Sequence, residues 1–511
     1  MSNLKFKSKM KKIFKYTLLA AVAALSLSAC TKDFEKINTD PDAYATAPVT
    51  NMLGYCIEQM SVNWGDELSR LSDWAGYTTL GYDAERFNYL PTNNEFGNKW
   101  YQTYTLYPEL QDIINRTDPT TFKNIQNVAK LLQNFMLFLT VDSWGDIPYS
   151  EAFQGVSGGN IKPKFDDAES VYNALAANLK EIADSWATGL GDDDLGDGDF
   201  LFGGDVEGWQ RFCNSLRLRM AMRLSGMSSQ TAKSKATFEE ILGNPTKYPV
   251  IEESSQNCEF WWDGSASYRE RWYNNRLTRP NDFQMSEVFI RRMKQQDDPR
   301  LPVFALPAAN SGEYVGLLHG CQVNYNGGAA ADYSYPGDKY YNDPAGSSPY
   351  FRAAETWFLI AEAAQKGWNV GYTAEQAYNN GVTCSFVDND LTATDAIAYL
   401  ADKGKFDASN ALDCIYNELW VALYKQGQEA WCLYRRTGYP TTLREPVTYS
   451  TGTTCAQYPG EKKAYAECDD LPYRFPYPNN EFQYNEDNVT AASEGIVHYC
   501  YGKKLCWAKQ Q

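Results

Sequence analysis

Histidine is nearly absent from this chain of 511 residues, which has only two. His319 and His498 stand far apart in the sequence, and neither belongs to an HExxH pattern. Because zinc sites and Ser-His-Asp triads depend on histidine, this composition gives poor support to either kind of site. We expect the two histidines to be ordinary loop or surface residues.

Basic residues are outnumbered as well. The 47 lysines and arginines face 64 aspartates and glutamates, which gives a formal net charge of −17 at pH 7. A chain of this charge repels phosphate backbones and anionic lipid, so nucleic acid is disfavoured as a partner.

The apolar run at 16–29 is too short to cross a membrane, because a spanning helix needs about 20 apolar residues. It follows a basic head of lysines, and this combination is typical of a secretory signal. The LSAC sequence that ends at Cys30 resembles a bacterial lipobox, in which the cysteine thiol is acylated before cleavage. We therefore expect 1–29 to be a lipoprotein signal peptide, Cys30 to be the lipidated first residue and 30–50 to be a polar tether. The alternative is an ordinary signal cut after Ala29, which leaves Cys30 unmodified.

Helical periodicity dominates the chain from residue 51 onward. Three apolar stripes recur with a spacing of three or four residues: Phe122, Ile125, Val128, Leu132, Phe135, Met136 and Leu139; Val171, Leu175, Leu179 and Ile182; Trp209, Phe212, Leu216, Met220 and Leu224. Asp118 and Pro119 precede the first stripe and predict an N-cap followed by a proline in the first helical turn. Strand signals are sparse, so we expect a mainly α-helical fold.

A helix pair is predicted over 353–386. An alanine-rich helical stretch ends at a glycine, and Thr373 and Gln376 then form a capping-box pattern that opens the next helix. The length of this unit resembles the tetratricopeptide period. The stretch 408–438 predicts another long helix or helix pair.

Long loops rich in Gly, Asn, Tyr and Asp separate the helices, at 187–205, 255–285, 305–350 and 440–475. Loops of this length without periodicity are unusual in compact domains and are often functional. We expect one α-rich domain over 51–511, with a tetratricopeptide-like helix-pair scaffold and an irregular half built from these loops.

Aromatic residues are abundant, with 36 tyrosines and 14 tryptophans. Aromatic rings stack on the C–H faces of sugars, whereas amide, acid and Arg side chains bind sugar hydroxyls, and peptides can use the same surface. The first set of candidate ligand-binding residues is Trp261, Trp262, Tyr268, Trp272 and Tyr273. The second set is Trp74, Tyr77, Tyr82, Arg86, Phe87 and Tyr89, and the third is Tyr325, Tyr333, Tyr335, Tyr340 and Tyr341. For each ring, packing beneath a loop is the alternative to ligand stacking.

The acidic loop 191–200 contains candidate calcium ligands, because calcium binds several carboxylate oxygens on a flexible loop. They are Asp192, Asp194, Asp197 and Asp199. The EF-hand pattern fails here, since Gly196 stands where a third acidic ligand belongs. The alternative is a solvated acidic loop, and no other cofactor is expected.

Two further motifs favour structural roles. The G-x-S-x-G pattern at 155–159 is followed by a proline segment instead of a helix, so a flexible turn is favoured over a nucleophile elbow. Four arginines could bind anions, but acids such as Glu418 and Glu429 lie nearby in sequence and favour structural ion pairs. They are Arg217, Arg219, Arg435 and Arg436.

The cysteines divide into two groups. Those in helical patterns are expected to be buried thiols: Cys213, Cys384, Cys414 and Cys432. Those in loop-rich sequence are better candidates for disulfides: Cys455 with Cys468, and Cys500 with Cys506. The sequence does not settle the pairing.

Seven sequence blocks resemble the SusD/RagB family. They are VDSWGDIPYSEAF (141–153), KPKFDDAESVYNALAANLKEIAD (162–184), FGGDVEGWQRFCNSLRLRMAMRLS (202–225), DDPRLPVF (297–304), FRAAETWFLIAEAAQKGW (351–368), LYKQGQEAWCLYRRTGYP (423–440) and PYRFPYPNNEFQYN (472–485). The stretch CTKDFEKINTDPDA (30–43) is also similar to the family's mature start. The blocks occur in the right order over nearly the whole chain, and the subgroup they resemble is the SusD-like nutrient-binding lipoproteins.

This resemblance implies an outer-membrane lipoprotein that faces the medium of a Gram-negative bacterium, with a SusD-like α/α superhelix. It implies a protein that binds glycans or peptides and delivers them to a SusC-like TonB-dependent transporter, without enzymatic activity. The ligand site would be built from loops in about the regions of the aromatic sets. The alternatives are a surface hydrolase, since carboxylate pairs are plentiful, and a scaffold whose helix pairs bind only proteins.

Overall fold

Helices account for most of the structure, which confirms the prediction of a mainly α-helical fold. The computed structural model describes residues 47–65, 68, 70–81, 95–154, 158–319, 328–444, 447–448, 454–455, 472–494 and 503–508. The helices are α1 (Val49–Trp64), α2 (Arg70–Trp74), α3 (Gly97–Arg116), α4 (Lys123–Trp144), α5 (Ala168–Ala187), α6 (Val206–Leu224), α7 (Thr231–Leu242), α8 (Arg271–Thr278), α9 (Glu287–Gln295), α10 (Leu301–Phe304), α11 (Asp338–Tyr341), α12 (Ala353–Gln365), α13 (Ala374–Asp388), α14 (Ala393–Ala401), α15 (Ala411–Ala422), α16 (Gly427–Thr437), α17 (Asn479–Tyr484) and α18 (Glu486–Ala492). Residues 49–511 form one compact unit.

The strands are short and pair in twos. They are β1 (Thr78–Leu80), β2 (Ile147–Pro148), β3 (Phe165–Asp166), β4 (Cys258–Trp261), β5 (Phe283–Met285), β6 (Ser347–Phe351), β7 (Val447–Thr448) and β8 (Thr454–Cys455). The antiparallel pairs are β1 with β5, β2 with β3, β4 with β6, and β7 with β8. Several of these elements, together with α8 and α11, lie inside the long loops of the sequence, which therefore contain more short regular structure than their lack of periodicity predicts.

The three apolar stripes form much of the core, as their spacing predicts. Every stripe residue on α5 and α6 is buried, and so is every stripe residue on α4. Phe122 is the exception, because it precedes α4 and is 39% exposed.

The start of α4 differs from the prediction. Asp118 closes a local turn, in which its carboxylate accepts hydrogen bonds from the backbone N–H groups of Thr120 and Thr121. The helix begins five residues later, at Lys123. In its first turn, the backbone N–H groups of Asn124 and Ile125 have no acceptor within the helix. They donate to the two carboxylate oxygens of a distant residue, Asp193, each at 2.9 Å. A tertiary contact therefore supplies the cap that the local sequence was expected to provide.

The predicted helix pair is α12 and α13, which pack against each other. The Thr373 hydroxyl accepts from the Gln376 backbone N–H, and the Gln376 side-chain oxygen accepts from the Thr373 N–H. Both halves of the capping box are thus confirmed. The stretch 408–438 is also a pair, α15 and α16.

Ion pairs join helices of the scaffold. Arg219 binds Glu355 at 2.6 Å, Arg217 binds Glu240 at 2.6 Å, and Arg436 binds Glu362 at 2.7 Å. The predicted structural ion pairs are therefore confirmed for these three arginines. Arg435 has a different structural role: its guanidinium donates to two backbone carbonyls and lies 3.3 Å from the centre of the Trp431 ring.

The cysteines in helices are free thiols, and Cys213 and Cys432 are buried whereas Cys384 and Cys414 are half-buried. Cys506 is also a free thiol, so its predicted disulfide with Cys500 is wrong. Cys468 and Cys500 lie outside the described residues. None of the helices in the described ranges has the length and apolar character needed to span a bilayer.

Candidate ligand-binding cleft

Strand β4 presents its side chains to two different environments. It pairs with β6 so that Glu259 faces Pro349 and Trp261 faces Ser347. Because side chains alternate along a strand, Cys258 and Phe260 point into the core, whereas Glu259 and Trp261 border an open cleft. This alternation places one tryptophan at the surface of an otherwise buried strand.

The cleft has a volume of about 340 Å³. One wall comes from β4 and the 3₁₀ turn before it, a second from α11 and the loop that leads to β6, and a third from the C-terminal end of α13. The indole of Trp261 is 63% exposed on its rim. Polar side chains cover much of the rest, including Ser255, Asn257 and Ser347. We call this arrangement the Trp261 cleft.

Each cation of the Trp261 cleft is already neutralised. Arg352 binds Glu259 at 2.6 Å, Lys425 binds Glu270 at 2.9 Å and Lys339 binds Asp390 at 2.8 Å. Burial alone would raise the pKa of Glu259, but the Arg352 guanidinium holds it below its ordinary value. Among the described residues that line the cleft, no cation is therefore left unpaired to attract an anionic ligand.

Asp388 is the carboxylate at the end of α13 in this cleft. The side-chain amide of Asn257 donates to its Oδ1 at 2.9 Å, while its Oδ2 accepts no hydrogen bond from the residues that the structure describes. Burial raises the pKa of Asp388 above its ordinary value. The pKa values of two carboxyl groups in one cleft are thus shifted in opposite directions: that of Glu259 is lowered and that of Asp388 is raised.

The structure separates the predicted aromatic candidates of the first set. Trp261 and Tyr268 are exposed, and Tyr273 is half-buried with its ring 5.1 Å from the Arg276 guanidinium. Trp262 and Trp272 are buried, which removes them as stacking residues, because a ring without an exposed face cannot stack on a ligand. Trp262 donates to the Ser348 hydroxyl at 3.0 Å, and Trp272 packs against Tyr424.

The residues of the second and third sets that the structure describes are mostly buried. Trp74 packs on Trp431, and the Tyr77 hydroxyl donates to a backbone carbonyl, that of Trp420, at 2.6 Å. Both rings are buried, so the prediction that they bind ligand is corrected in favour of packing. The same applies to three tyrosines of the third set, Tyr333, Tyr340 and Tyr341. Tyr335 is half-buried, and Tyr82, Arg86, Phe87, Tyr89 and Tyr325 lie outside the described residues.

Sequence reasoning missed the polar half of the cleft. Asn257, Lys339 and Asp388 carry no motif and come from segments up to 131 residues apart. The packing of the α12–α13 pair against the 3₁₀ turn before β4, and the contacts of Lys339 with the end of α13, bring them together, so no local signal could have found them.

The acidic loop is used for capping. Asp199 is buried and accepts from four N–H donors, which are the backbone groups of Leu201, Phe202 and Gly204 and the indole of Trp209. Asp194 accepts from the Gly196 N–H. No three carboxylates of 191–200, a range described in full, lie within 4.8 Å of one another. Helix and loop capping accounts for this geometry better than a shared cation does, and the calcium prediction gains no support from it.

His319 lies in a turn, as expected for a loop histidine, but it is buried. Its Nε2 lies 3.1 Å from the carbonyl oxygen of Thr78, and burial lowers its pKa to about 4. His319 is not among the residues that line the Trp261 cleft. His498, like Gly155, Val156 and Ser157 of the G-x-S-x-G pattern, lies outside the described residues.

Solved structures share this fold over most of the chain. A SusD-like protein from Bacteroides thetaiotaomicron is 22% identical, with 91% of this chain and 99% of that one covered and a TM-score of 0.73. A chitin-binding SusD homologue from Flavobacterium johnsoniae is 23% identical, with 90% and 97% covered and a TM-score of 0.71. A SusD homologue from Bacteroides uniformis is 23% identical, with 90% and 99% covered and a TM-score of 0.73.

Comparison with curated proteins by sequence gave no match. A model of the SusD-like family, described as "Starch-binding associating with outer membrane", matches residues 43–478. Since this match spans well over half of the sequence, the chain belongs to the SusD-like family.

Proposed function

We propose that this chain is a surface lipoprotein that binds carbohydrate oligomers at the Trp261 cleft and delivers them to a SusC-like TonB-dependent transporter. The observation that carries the binding proposal is the exposed indole of Trp261 on the rim of a polar cleft. The family description and the chitin-binding homologue from Flavobacterium johnsoniae favour carbohydrate over other nutrients. Membership of a family described as associating with the outer membrane supports the cell-surface location.

The chemistry of the cleft suits an uncharged sugar chain. The indole offers a flat apolar face for the C–H side of a pyranose ring, and the amide, hydroxyl and carboxylate groups offer partners for its hydroxyls. Because Arg352, Lys425 and Lys339 are already paired with acids, an anionic ligand gains little there.

Binding without turnover is part of the proposal. One observation favours the hydrolase alternative. Glycoside hydrolysis uses one protonated and one ionised carboxyl group. The raised pKa of Asp388 favours its protonated form, and the lowered pKa of Glu259 favours its ionised form. However, Glu259 is bound to Arg352 and Asp388 to Asn257, so both carboxylates are held by the protein. Such contacts suit a rigid binding wall better than a pair that exchanges protons with substrate.

The test measures affinity by isothermal titration for maltohexaose, for chitohexaose and for a pool of hexapeptides. Wild type should bind at least one of the sugars, and Trp261→Ala should weaken that binding at least about tenfold, because it removes the exposed platform. Tyr484→Ala is the matched control, since Tyr484 is equally open, at 67% exposure, on a different element, α17.

Each result decides between the alternatives. Equal affinity of Trp261→Ala and wild type would overturn the cleft assignment. Binding of peptides but not of sugars would replace the carbohydrate proposal with a peptide-binding one. Release of reducing ends from a bound sugar, lost in Asp388→Asn, would establish the hydrolase.

A further inference from the structure

A second cleft lies between α3, α4 and α5. Its volume is about 210 Å³, and it is lined mainly by polar side chains. No residue of this cleft lines the Trp261 cleft. Pockets for drug-sized ligands have volumes of roughly 300–1,000 Å³, so this smaller cleft matches a single small ring better than an oligomer.

The floor of this cleft is built from amides. Gln133 and Asn134, on α4, are both buried. The Gln133 amide nitrogen donates to the Tyr107 carbonyl at 3.1 Å, and the Asn178 amide nitrogen contacts Asn134 Oδ1 and the Tyr149 hydroxyl, each at 3.3 Å. These contacts orient the amides without using all of their hydrogen-bonding groups.

The unused groups include both donors and acceptors. Within the described part of the chain, the side-chain oxygens of Gln133 and Asn178 accept no hydrogen bond, and the hydroxyl of Tyr149 donates none. Lys130 and Glu181 also line the cleft and form no ion pair with a described residue. Because a sugar hydroxyl both donates and accepts, this mixture is what a small polyol requires, whereas an anion or a cation would meet one matching and one opposing charge.

An aromatic pair borders the polar groups. The ring of Phe153 stacks on Tyr107, a lining residue, with 3.9 Å between ring centres and 7° between the planes. Phe153 is 37% exposed and has a φ of 65°, a backbone conformation that is unfavourable for a bulky residue. The fold thus holds a partly exposed aromatic ring in a costly conformation at the edge of the cleft.

We propose that the cleft between α3, α4 and α5 is a second carbohydrate site, which binds one pyranose ring. This proposal is based on the residues that line the second cleft, and it does not depend on the function proposed for the Trp261 cleft. A ligand with so few atoms gives a dissociation constant on the order of 1 mM. When one glycan contacts both sites, two weak contacts raise the overall affinity without any change at the Trp261 cleft.

Two isoleucines provide a local readout, since Ile114 and Ile182 both line the cleft. The test records methyl NMR spectra of isoleucine-labelled protein while glucose, N-acetylglucosamine, mannose or galactose is added. The two methyl signals are assigned with Ile114→Val and Ile182→Val. At least one sugar should shift both signals saturably and leave the signal of the remote, buried Ile415 unchanged.

Two variants separate this site from the first. The double variant Asn178→Ala with Tyr149→Phe should weaken the sugar binding reported by these methyls about tenfold, because it removes two hydrogen-bonding groups from the cleft. Asn173→Ala is the matched control on the same helix, since Asn173 is also half-buried but lies outside the cleft. Trp261→Ala should leave the methyl shifts unchanged even where it abolishes oligosaccharide binding.

The proposal is overturned if no sugar moves the two methyl signals at concentrations tenfold above the expected constant, which would mean that the cleft holds only water. It is also overturned if the shifts are the same in the double variant as in wild type. Neither result bears on the Trp261 cleft, whose own test is the loss of oligosaccharide binding in Trp261→Ala.

Discussion

Glu362 is a buried carboxylate on α12 that receives two hydrogen bonds from the Arg436 guanidinium of α16, both at 2.7 Å. Burial alone would raise its pKa, but Arg436 and then Lys366 lower it below the ordinary value of 4.5. A carboxyl with a lowered pKa stabilises the folded state above its ordinary pKa and loses that contribution as the pH falls through the lowered value.

Glu362→Gln should therefore lower the free energy of unfolding by about 3–5 kcal/mol at neutral pH, because it leaves Arg436 buried without a charged partner. Urea denaturation of both proteins from pH 7 down to pH values under 4.5 measures the difference. The difference should shrink in the acidic part of that range, where Glu362 of the wild type also becomes neutral.

The control for this prediction is a surface ion pair. Arg116 and Asp112 lie 3.2 Å apart on α3 with both side chains partly exposed, so Asp112→Asn should cost less than about 1 kcal/mol. A Glu362→Gln difference that stays constant across the pH range would contradict the proposed role of the ionised carboxylate.

The adjacent residues Trp261 and Trp262 show what the sequence could and could not predict at this scale. Both were candidates because both lie in an aromatic loop, yet one is exposed and the other buried. β4 ends at Trp261, but the next residue continues the pairing, since the Trp262 N–H donates to the Gly346 carbonyl at 3.2 Å. The alternation of side chains therefore extends to Trp262 and places the two rings on opposite sides. The sequence did not predict this strand, because its strand signals are sparse. It therefore did not predict that only one of the two rings is available to a ligand.

At the scale of elements, the sequence predicts helices well and their starts less well. The apolar stripes of α4, α5 and α6 follow directly from a spacing of three or four residues. The capping box at Thr373 is equally local, and it is confirmed. The cap of α4 is not local, because Asp193 reaches it from a loop some 68 residues away in the chain.

Asp193→Ala tests that cap. It should lower the free energy of unfolding by about 1–2 kcal/mol, because two N–H groups in the first turn of α4 lose their acceptor. Thermal or urea unfolding measures the loss.

Asp192→Ala is the matched control on the same loop, since Asp192 is exposed, and it should change stability by less than about 0.5 kcal/mol. Adding calcium chloride to each protein extends the test. A calcium-dependent rise in melting temperature that is lost in Asp192→Ala would contradict the capping account and establish the metal site.

At the scale of the whole molecule, the Trp261 cleft could not be predicted. Its walls come from residues 254–261, 339–347 and 387–390. They approach one another through the pairing of β4 with β6 and the packing of the helix pair against the 3₁₀ turn before β4. The sequence nevertheless singled out the segment that contains Trp261, because aromatic residues are concentrated in the long irregular loop 255–285. The structure leaves the Trp261 ring exposed, and its binding of a ligand stays a prediction. The polar groups of the cleft were not predicted, since sugar-binding amides and acids carry no spacing rule.

The attachment of this molecule to a membrane is a separate prediction, because Cys30 lies outside the described residues. If Cys30 is acylated, radiolabelled palmitate fed to cells that make the protein should enter the wild-type chain and be absent from Cys30→Ala. Cys506→Ala is the control for labelling at another thiol, since Cys506 is exposed and free. Anchored protein should fractionate with the membrane, whereas Cys30→Ala should be released, because acyl chains supply the apolar surface that holds the protein at the bilayer. Equal labelling of wild type and Cys30→Ala would contradict the anchor and, with it, the delivery of captured sugar to a transporter in the same membrane.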